Sequence, residues 1–140
     1  MTRVALSVAV CVFAAAAGAG ADEPQVDVSA SCEHRATKGR VLCDVEIESA
    51  RARIAWADVL VVSAPGFAPP LRSRVGIADA RSRTDHRVRI PVAFVATEQA
   101  RGTVTLRGRA VVCETTGAST CVPVVRTTSV ELAVGPDVVH

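Results

Sequence analysis

Residues 41–48 read Val-Leu-Cys-Asp-Val-Glu-Ile-Glu, with Val, Cys, Val and Ile at every second position. Successive side chains of a β-strand point to opposite faces, so this pattern is typical of a strand with one buried face. Residues 26–31 show the same alternation. Between them, residues 35–40 have the polar, glycine-containing composition of a turn. The two segments therefore predict an antiparallel hairpin.

The same period of two continues along the rest of the chain. Further strands are predicted at 54–62, 88–95, 103–112 and 122–134, with a short one near 74–78. Residues 64–70, Ala-Pro-Gly-Phe-Ala-Pro-Pro, are predicted to form a loop because proline removes a ladder donor. No segment has the apolar recurrence of a long amphipathic helix. The pattern predicts an all-β, immunoglobulin-like two-sheet sandwich of about seven strands.

The N-terminus has the features of a secretory signal. Arg3 is followed by the apolar run 4–17 and then by the small residues 18–21, Gly-Ala-Gly-Ala. We expect residues 1–21 to be a cleaved signal peptide and residues 22–140 to form a single domain. The apolar run is shorter than the roughly 20 residues that a transmembrane helix needs, and no later stretch approaches that length, so no membrane insertion of the mature chain is expected.

Composition argues against several functions. The chain has 16 Lys and Arg against 14 Asp and Glu, for a net charge of +2, which predicts neither nucleic-acid nor membrane binding. No metal or cofactor is expected, because the three histidines are dispersed and lack metal-ligand spacing with the cysteines. These histidines are His34, His86 and His140. The acidic row Asp44, Glu46 and Glu48 is expected to be a solvated strand face.

Four of the five cysteines lie beyond the predicted signal, which contains Cys11. An even number in an exported chain predicts two disulfides. Cys32 and Cys43 are in phase with the inward-facing residues of their strands, which predicts a buried structural bridge across the first hairpin. Cys113 and Cys121 are out of phase with the apolar residues around them. They are therefore expected to face outward as a chemically accessible pair.

A different connectivity stays open. Cys43, Trp56 and Cys113 have the rough spacing of the immunoglobulin core, in which an inter-sheet disulfide packs on a tryptophan. This arrangement would leave Cys32 to pair with Cys121. Strand parity disfavours it, and the chain has no tyrosine for the tyrosine corner of that fold. Trp56 is expected to lie in the core.

Three segments carry a resemblance to a known family. They are 87–92, Arg-Val-Arg-Ile-Pro-Val; 102–106, Gly-Thr-Val-Thr-Leu; and 113–123, Cys-Glu-Thr-Thr-Gly-Ala-Ser-Thr-Cys-Val-Pro. Over residues 85–134 the chain resembles the periplasmic N-terminal domain of DsbD-type thiol:disulfide interchange proteins. The resemblance implies that Cys113 and Cys121 are the catalytic redox pair. It also implies an aromatic-bearing cap loop over them, for which Phe67 is the candidate.

The resemblance implies a periplasmic or secreted domain that relays electrons from a separate membrane thiol reductase to periplasmic thioredoxin-like proteins. Arg107, Arg109 and Arg126 would favour a thiolate at this pair, and Glu114 would oppose it. The alternative is a non-enzymatic exported β-sandwich, with an interaction or structural role, in which both disulfides only stabilise a small core.

Overall fold

The computed structural model of the protein describes residues 24–115 and 120–136, so the predicted signal peptide, residues 1–21, lies outside the described residues. The described residues form eight β-strands and a 3₁₀ turn at Ile77–Asp79. The strands are β1 (Val26–Cys32), β2 (Gly39–Ser49), β3 (Arg53–Ser63), β4 (Arg74–Gly76), β5 (Ser82–Arg83), β6 (Arg87–Ala96), β7 (Ala100–Cys113) and β8 (Cys121–Val134). None of the helical structure in these residues is long and apolar enough to cross a membrane.

The described strands form two antiparallel four-stranded sheets, in the orders β1-β2-β6-β5 and β4-β3-β7-β8. Neighbouring strands of the first sheet, β1, β2, β6 and β5, correspond to strands A, B, E and D of an immunoglobulin domain, both in their order along the chain and in their order in the sheet. In the other sheet, β3, β7 and β8 take the places of C, F and G, and β4 adds to the edge of C. The predicted all-β two-sheet sandwich is confirmed. Sequence periodicity missed only β5, because two residues are too short to show a period.

The core consists of the alternate residues that face between the sheets. Val41, Cys43, Val45 and Ile47 of β2 are fully buried, as the alternation in 41–48 predicts. Phe94 on β6 is also fully buried and is the largest of the buried side chains. Burial of a side chain of this size stabilises the fold by about 1.5–3 kcal/mol, so these positions determine which face of each strand is inward.

The acidic row of β2 lies on the outer face of its sheet. Glu46 forms an ion pair with Arg89 of β6 at 3.1 Å, and Glu48 forms one with Arg87 at 3.3 Å. These arginines are half exposed, so each pair contributes little to stability. Asp44 likewise forms an ion pair with Arg81 at 3.2 Å, so the whole row is ion-paired, but only Glu48 is exposed and Asp44 and Glu46 are partly buried.

The two sheets approach closely at Gly108 on β7. A Cβ atom at this position would lie 2.8 Å from Cγ2 of Val28 on β1, closer than packed atoms allow. Replacing Gly108 with alanine is therefore expected to lower the free energy of unfolding by about 1–3 kcal/mol, as overpacking does. Urea unfolding measures the change. The matched control is Gly66→Ala, because nothing lies within 4 Å of a Cβ there; equal stability of the two variants would contradict the close approach.

Candidate functional site

A disulfide joins the two strands of the β7–β8 hairpin where the strands meet their connecting loop. Cys113 is the last residue of β7, and Cys121 is the first of β8. The two are directly opposite in the ladder, with their Cα atoms 4.0 Å apart. Just beyond them, the Glu114 amide donates a hydrogen bond to the Thr120 carbonyl at 3.0 Å. The bridge therefore lies at a non-hydrogen-bonded pair of an antiparallel ladder, where side chains are closest.

The two cysteines of this bridge differ in exposure. Cys121 is exposed, but Cys113 is only 4% exposed. The prediction that both are accessible is therefore correct for Cys121 and wrong for Cys113. The register keeps Cys113 on the outward side of β7, but β7 is an inner strand of its sheet. Neighbours on both sides, Arg53 of β3 and Cys121 of β8, pair with it.

The second disulfide joins Cys32 to Cys43 across the β1–β2 hairpin. Cys43 is 0% exposed within the core, and Cys32 packs against that core from the end of β1. The structure thus contains both bridges that strand parity predicts. It does not contain the immunoglobulin-type pairing of Cys43 with Cys113, because those two residues face opposite sides of their sheets.

Trp56 is not in the core, and that prediction is wrong. A β-bulge shifts the register of β3 between Ile54 and Trp56. Two residues separated by two positions normally share a face, but the extra residue of a bulge moves one of them to the other face. Ile54 consequently points into the core, and Trp56 lies opposite Val111 on the outer side.

The outer side of the β4-β3-β7-β8 sheet, called here the disulfide face, carries the bridge and its neighbours in successive rows across β3, β7 and β8. The first row is Arg53, Cys113 and Cys121; the second is Trp56, Val111 and Pro123; the third is Asp58, Arg109 and Val125; the fourth is Leu60, Arg107 and Thr127. Rows on one face of a strand are about 7 Å apart. Apolar side chains thus lie directly beside the disulfide.

Asp58 is a buried carboxylate on the disulfide face, with a side chain that is 0% exposed. Arg109 Nε donates to its Oδ1 at 2.8 Å, and Arg74 Nε donates to its Oδ2 at 2.7 Å. Burial acts to raise the pKa of Asp58, but the hydrogen bonds and charges of Arg109 and Arg74 outweigh it, and the pKa lies below its ordinary value. The guanidinium of Arg109 lies 5.8 Å above the Trp56 ring, which is cation–π distance.

This geometry changes which cation is near the bridge. Arg109 and Arg107 share a face with Cys113, but they are four and six residues away, or roughly 13 and 20 Å along the strand. Arg126 is at an even position of β8, so it belongs to the opposite face from Cys121. Of the arginines on β3, β7 and β8, Arg53 is the one directly opposite Cys113 in the ladder. Sequence reasoning missed Arg53 because no local pattern reveals its pairing with a distant strand across a bulge.

Phe67 does not cover the bridge, so its predicted role as a cap is wrong. A Cβ on Gly102 would lie 3.2 Å from Cε1 of Phe67, and the Thr97 amide donates to the Phe67 carbonyl at 2.8 Å. Gly102 and Cys113 are eleven residues apart on β7, which corresponds to roughly 35 Å along a strand. Phe67 therefore lies at the other end of the sandwich, against the beginning of β7.

A groove of about 490 Å³ lies along the β7–β8 hairpin, whose strand β8 is at the edge of its sheet. Its lining includes Val112, Glu114, Val122 and Val124, together with Pro24 just before β1. The hairpin residues named here are at even positions, whereas both cysteines are at odd positions. Pro123 and Val125 of the disulfide face also line the groove, so it extends to both faces of the hairpin at the β8 edge of the sheet.

Comparison of the chain with protein-family models, with curated proteins and with solved structures gave no match.

Proposed function

We propose that the protein is a periplasmic or secreted thiol:disulfide exchange domain with Cys113 and Cys121 as its redox pair. In this function it relays electrons from a membrane thiol reductase to periplasmic thioredoxin-like partners. The observation that carries the proposal is the exposure of Cys121 at the beginning of β8, in a bridge whose other half is buried. Exchange requires a sulfur that an incoming thiolate can reach, and exposed bridges are the labile ones.

In the proposed exchange the two sulfurs have different roles because they differ in exposure. A thiolate of the reductase attacks Sγ of Cys121, a bond forms between these two sulfurs, and the Cys113–Cys121 bond breaks. Cys113 leaves as a thiolate, beside the cation Arg53. The second thiol of the reductase, as its thiolate, then attacks the reductase sulfur of the mixed disulfide and releases the Cys121 thiolate. Two electrons have moved: the reductase dithiol has become a disulfide, and the domain holds a dithiol for its next partner.

Limited reduction of the folded protein tests the proposal. Dithiothreitol is added to the oxidised protein under native conditions, free thiols are alkylated at intervals, and the modified cysteines are identified by mass spectrometry. We expect alkylation of Cys113 and Cys121 while Cys32 and Cys43 remain bonded, with a reduction potential of the first pair above about −300 mV. Reduction of both bridges only together, as the domain unfolds, would contradict the proposal.

Two single variants test the assignment of the attacked sulfur. Cys113→Ala leaves a thiol at the exposed position, and Cys121→Ala leaves one at the buried position. With an aromatic disulfide such as Ellman's reagent, we expect Cys113→Ala to react several-fold faster, because access limits the reaction of a buried thiol. The reverse order, or equal rates, would overturn the assignment to Cys121.

The second candidate function is a non-enzymatic exported sandwich that both bridges only stabilise. The burial of Cys113 favours it, as does the placement of both bridges at directly opposite residues of a hairpin. The limited-reduction experiment separates the two functions, because a purely structural Cys113–Cys121 bridge would persist as long as the Cys32–Cys43 bridge.

A further inference from the structure

The disulfide face combines a bridge, an apolar patch and positive charge. Trp56, Val111 and Pro123 form the row next to the bridge, about 7 Å from it. Val125 follows in the next row and is 50% exposed, as one of the most exposed large apolar side chains among the described residues. Apolar residues that cluster on an otherwise polar surface mark contact sites.

The charge on this face is unbalanced. The described residues that the ladder places on it include five arginines and two carboxylates, a net charge of +3. They are Arg53, Arg74, Arg101, Arg107 and Arg109, with Asp58 and Glu131. Both carboxylates already bind arginines, Asp58 to Arg74 and Arg109, and Glu131 to Arg101. One charge of the excess belongs to the cluster of Asp58 with Arg74 and Arg109, and the other two belong to Arg53 and Arg107, which are exposed on either side of the apolar patch.

We propose that the disulfide face docks a thiol-bearing protein whose contact surface is apolar at its centre and acidic at its rim. The inference rests on the proposed exchange function and states the chemistry of the partner's surface. An acidic rim complements Arg53 and Arg107, and the apolar centre covers Trp56, Val111, Pro123 and Val125. A second copy of this chain would bring two positive faces together and is disfavoured, because like charges across an interface repel.

Docking of this kind places the partner's thiolate beside the exposed half of the bridge. The positive face attracts the negative charge of both the rim and the thiolate, so the encounter is faster than for a neutral partner. The effect is electrostatic between exposed groups and should weaken as salt is added.

Three nine-residue peptides, each with one central cysteine, probe the face. The first has Glu and Leu around the cysteine, the second has Lys in place of Glu, and the third has Ser in place of Leu. Each reduced peptide is mixed with the oxidised protein, and the rate of mixed-disulfide formation is measured by mass spectrometry after acid quenching. The rate of each peptide with bis(2-hydroxyethyl) disulfide, which is uncharged, corrects for differences in thiolate fraction.

At low ionic strength we expect the corrected rate of the Glu-Leu peptide to exceed that of the Lys-Leu peptide by about tenfold. The ratio should fall towards one in 0.5 M salt, since the Debye length is then only about 4–5 Å. The Glu-Ser peptide should be slower than the Glu-Leu peptide. Equal corrected rates for the acidic and basic peptides, or for the Glu-Leu and Glu-Ser peptides, would overturn this inference and leave the exchange function intact.

Matched variants locate the effect on the disulfide face. Arg53→Glu and Arg107→Glu should each lower the rate of the Glu-Leu peptide several-fold, while Lys38→Glu, the same charge change in the β1–β2 turn, should not. Val125→Ser, at an exposed position, should slow the Glu-Leu peptide and leave the Glu-Ser peptide unchanged. An equal effect of Lys38→Glu would overturn the assignment to this face. If no peptide opens the Cys113–Cys121 bridge in the folded protein, the exchange function itself is wrong.

Discussion

Replacing Cys32 and Cys43 together with alanine is expected to lower the free energy of unfolding by about 3 kcal/mol or more. The bridge closes a loop of sequence separation 11, and its loss returns conformational freedom to the unfolded chain. Packing is lost as well, because Cys43 is 0% exposed and its sulfur fills space between the sheets. Urea unfolding, monitored by the fluorescence of Trp56, measures the difference.

The control is the double replacement of Cys113 and Cys121. That bridge has a sequence separation of 8, which corresponds to an entropic contribution of about 2.5 kcal/mol. Less packing is lost at this position, because Cys121 is exposed. We therefore expect the Cys113/Cys121 double variant to lose less stability than the Cys32/Cys43 double variant, but to lose exchange completely. If the Cys32/Cys43 double variant unfolds at the same urea concentration as the wild type, the structural role of the Cys32–Cys43 bridge is contradicted.

Asp58→Asn is the second change with a large expected effect. The variant keeps the size of the side chain, but it removes the charge that Arg109 and Arg74 bind and presents amide hydrogens to guanidinium groups. Hydrogen bonds to charged groups contribute about 1.5–3 kcal/mol each, so a loss of about 2–3 kcal/mol in the free energy of unfolding is expected at pH 7. Asp79→Asn is the control, because its ion pair with Arg72 is exposed on both sides and should contribute little.

The pH dependence of the same variant follows from the lowered pKa of Asp58. A carboxyl with a lower pKa in the folded state stabilises the fold fully above its unfolded value, here 3.8, and this stabilisation is lost as the pH falls through the folded value. The difference in stability between the wild type and Asp58→Asn should therefore be constant near neutral pH and shrink below about pH 4. A difference that stays constant down to pH 2 would show that the charge of Asp58 contributes nothing.

The Asp58 cluster also links stability to the disulfide face. Asp58 holds Arg109 over the ring of Trp56, so the carboxylate fixes the position of one cation and one aromatic side chain in the rows next to the bridge. In the proposed docking mode these residues belong to the contact surface. Asp58→Asn should therefore disturb the face as well as the fold, and for this reason the docking experiment relies on exposed positions instead.

Much of the fold was predictable from local sequence. A strand with one buried face shows its period of two directly, as residues 41–48 do, and the loop at 64–70 follows from its prolines. The two bridges were predictable for the same reason, because the β1–β2 and β7–β8 hairpins pair without a register shift. In an unbulged hairpin, counting residues is enough to tell which side chains share a face.

The errors all depend on contacts between distant segments. Trp56 was assigned to the wrong face because a bulge depends on how β3 pairs with β7 and leaves no mark in the local period. Strand parity predicts an exposed Cys113, but parity gives only the face of a residue, whereas its burial depends on the neighbouring strands. The resemblance implies a cap at Phe67, but the path of this loop over the sandwich follows from its packing against Gly102.

The sequence by itself thus determined the longer strands and the inward and outward positions within each unbulged strand, and strand parity favoured the cysteine pairing that the structure contains. These properties depend on residues close together in the chain and on the alternation of side chains along a strand. Only the tertiary structure decided that Cys121 is exposed and Cys113 buried, that Arg53 is the cation beside them, and that Trp56 joins the face around the bridge. The order and register of strands distant in sequence determine these properties, because burial and charge at one residue depend on all the side chains packed around it.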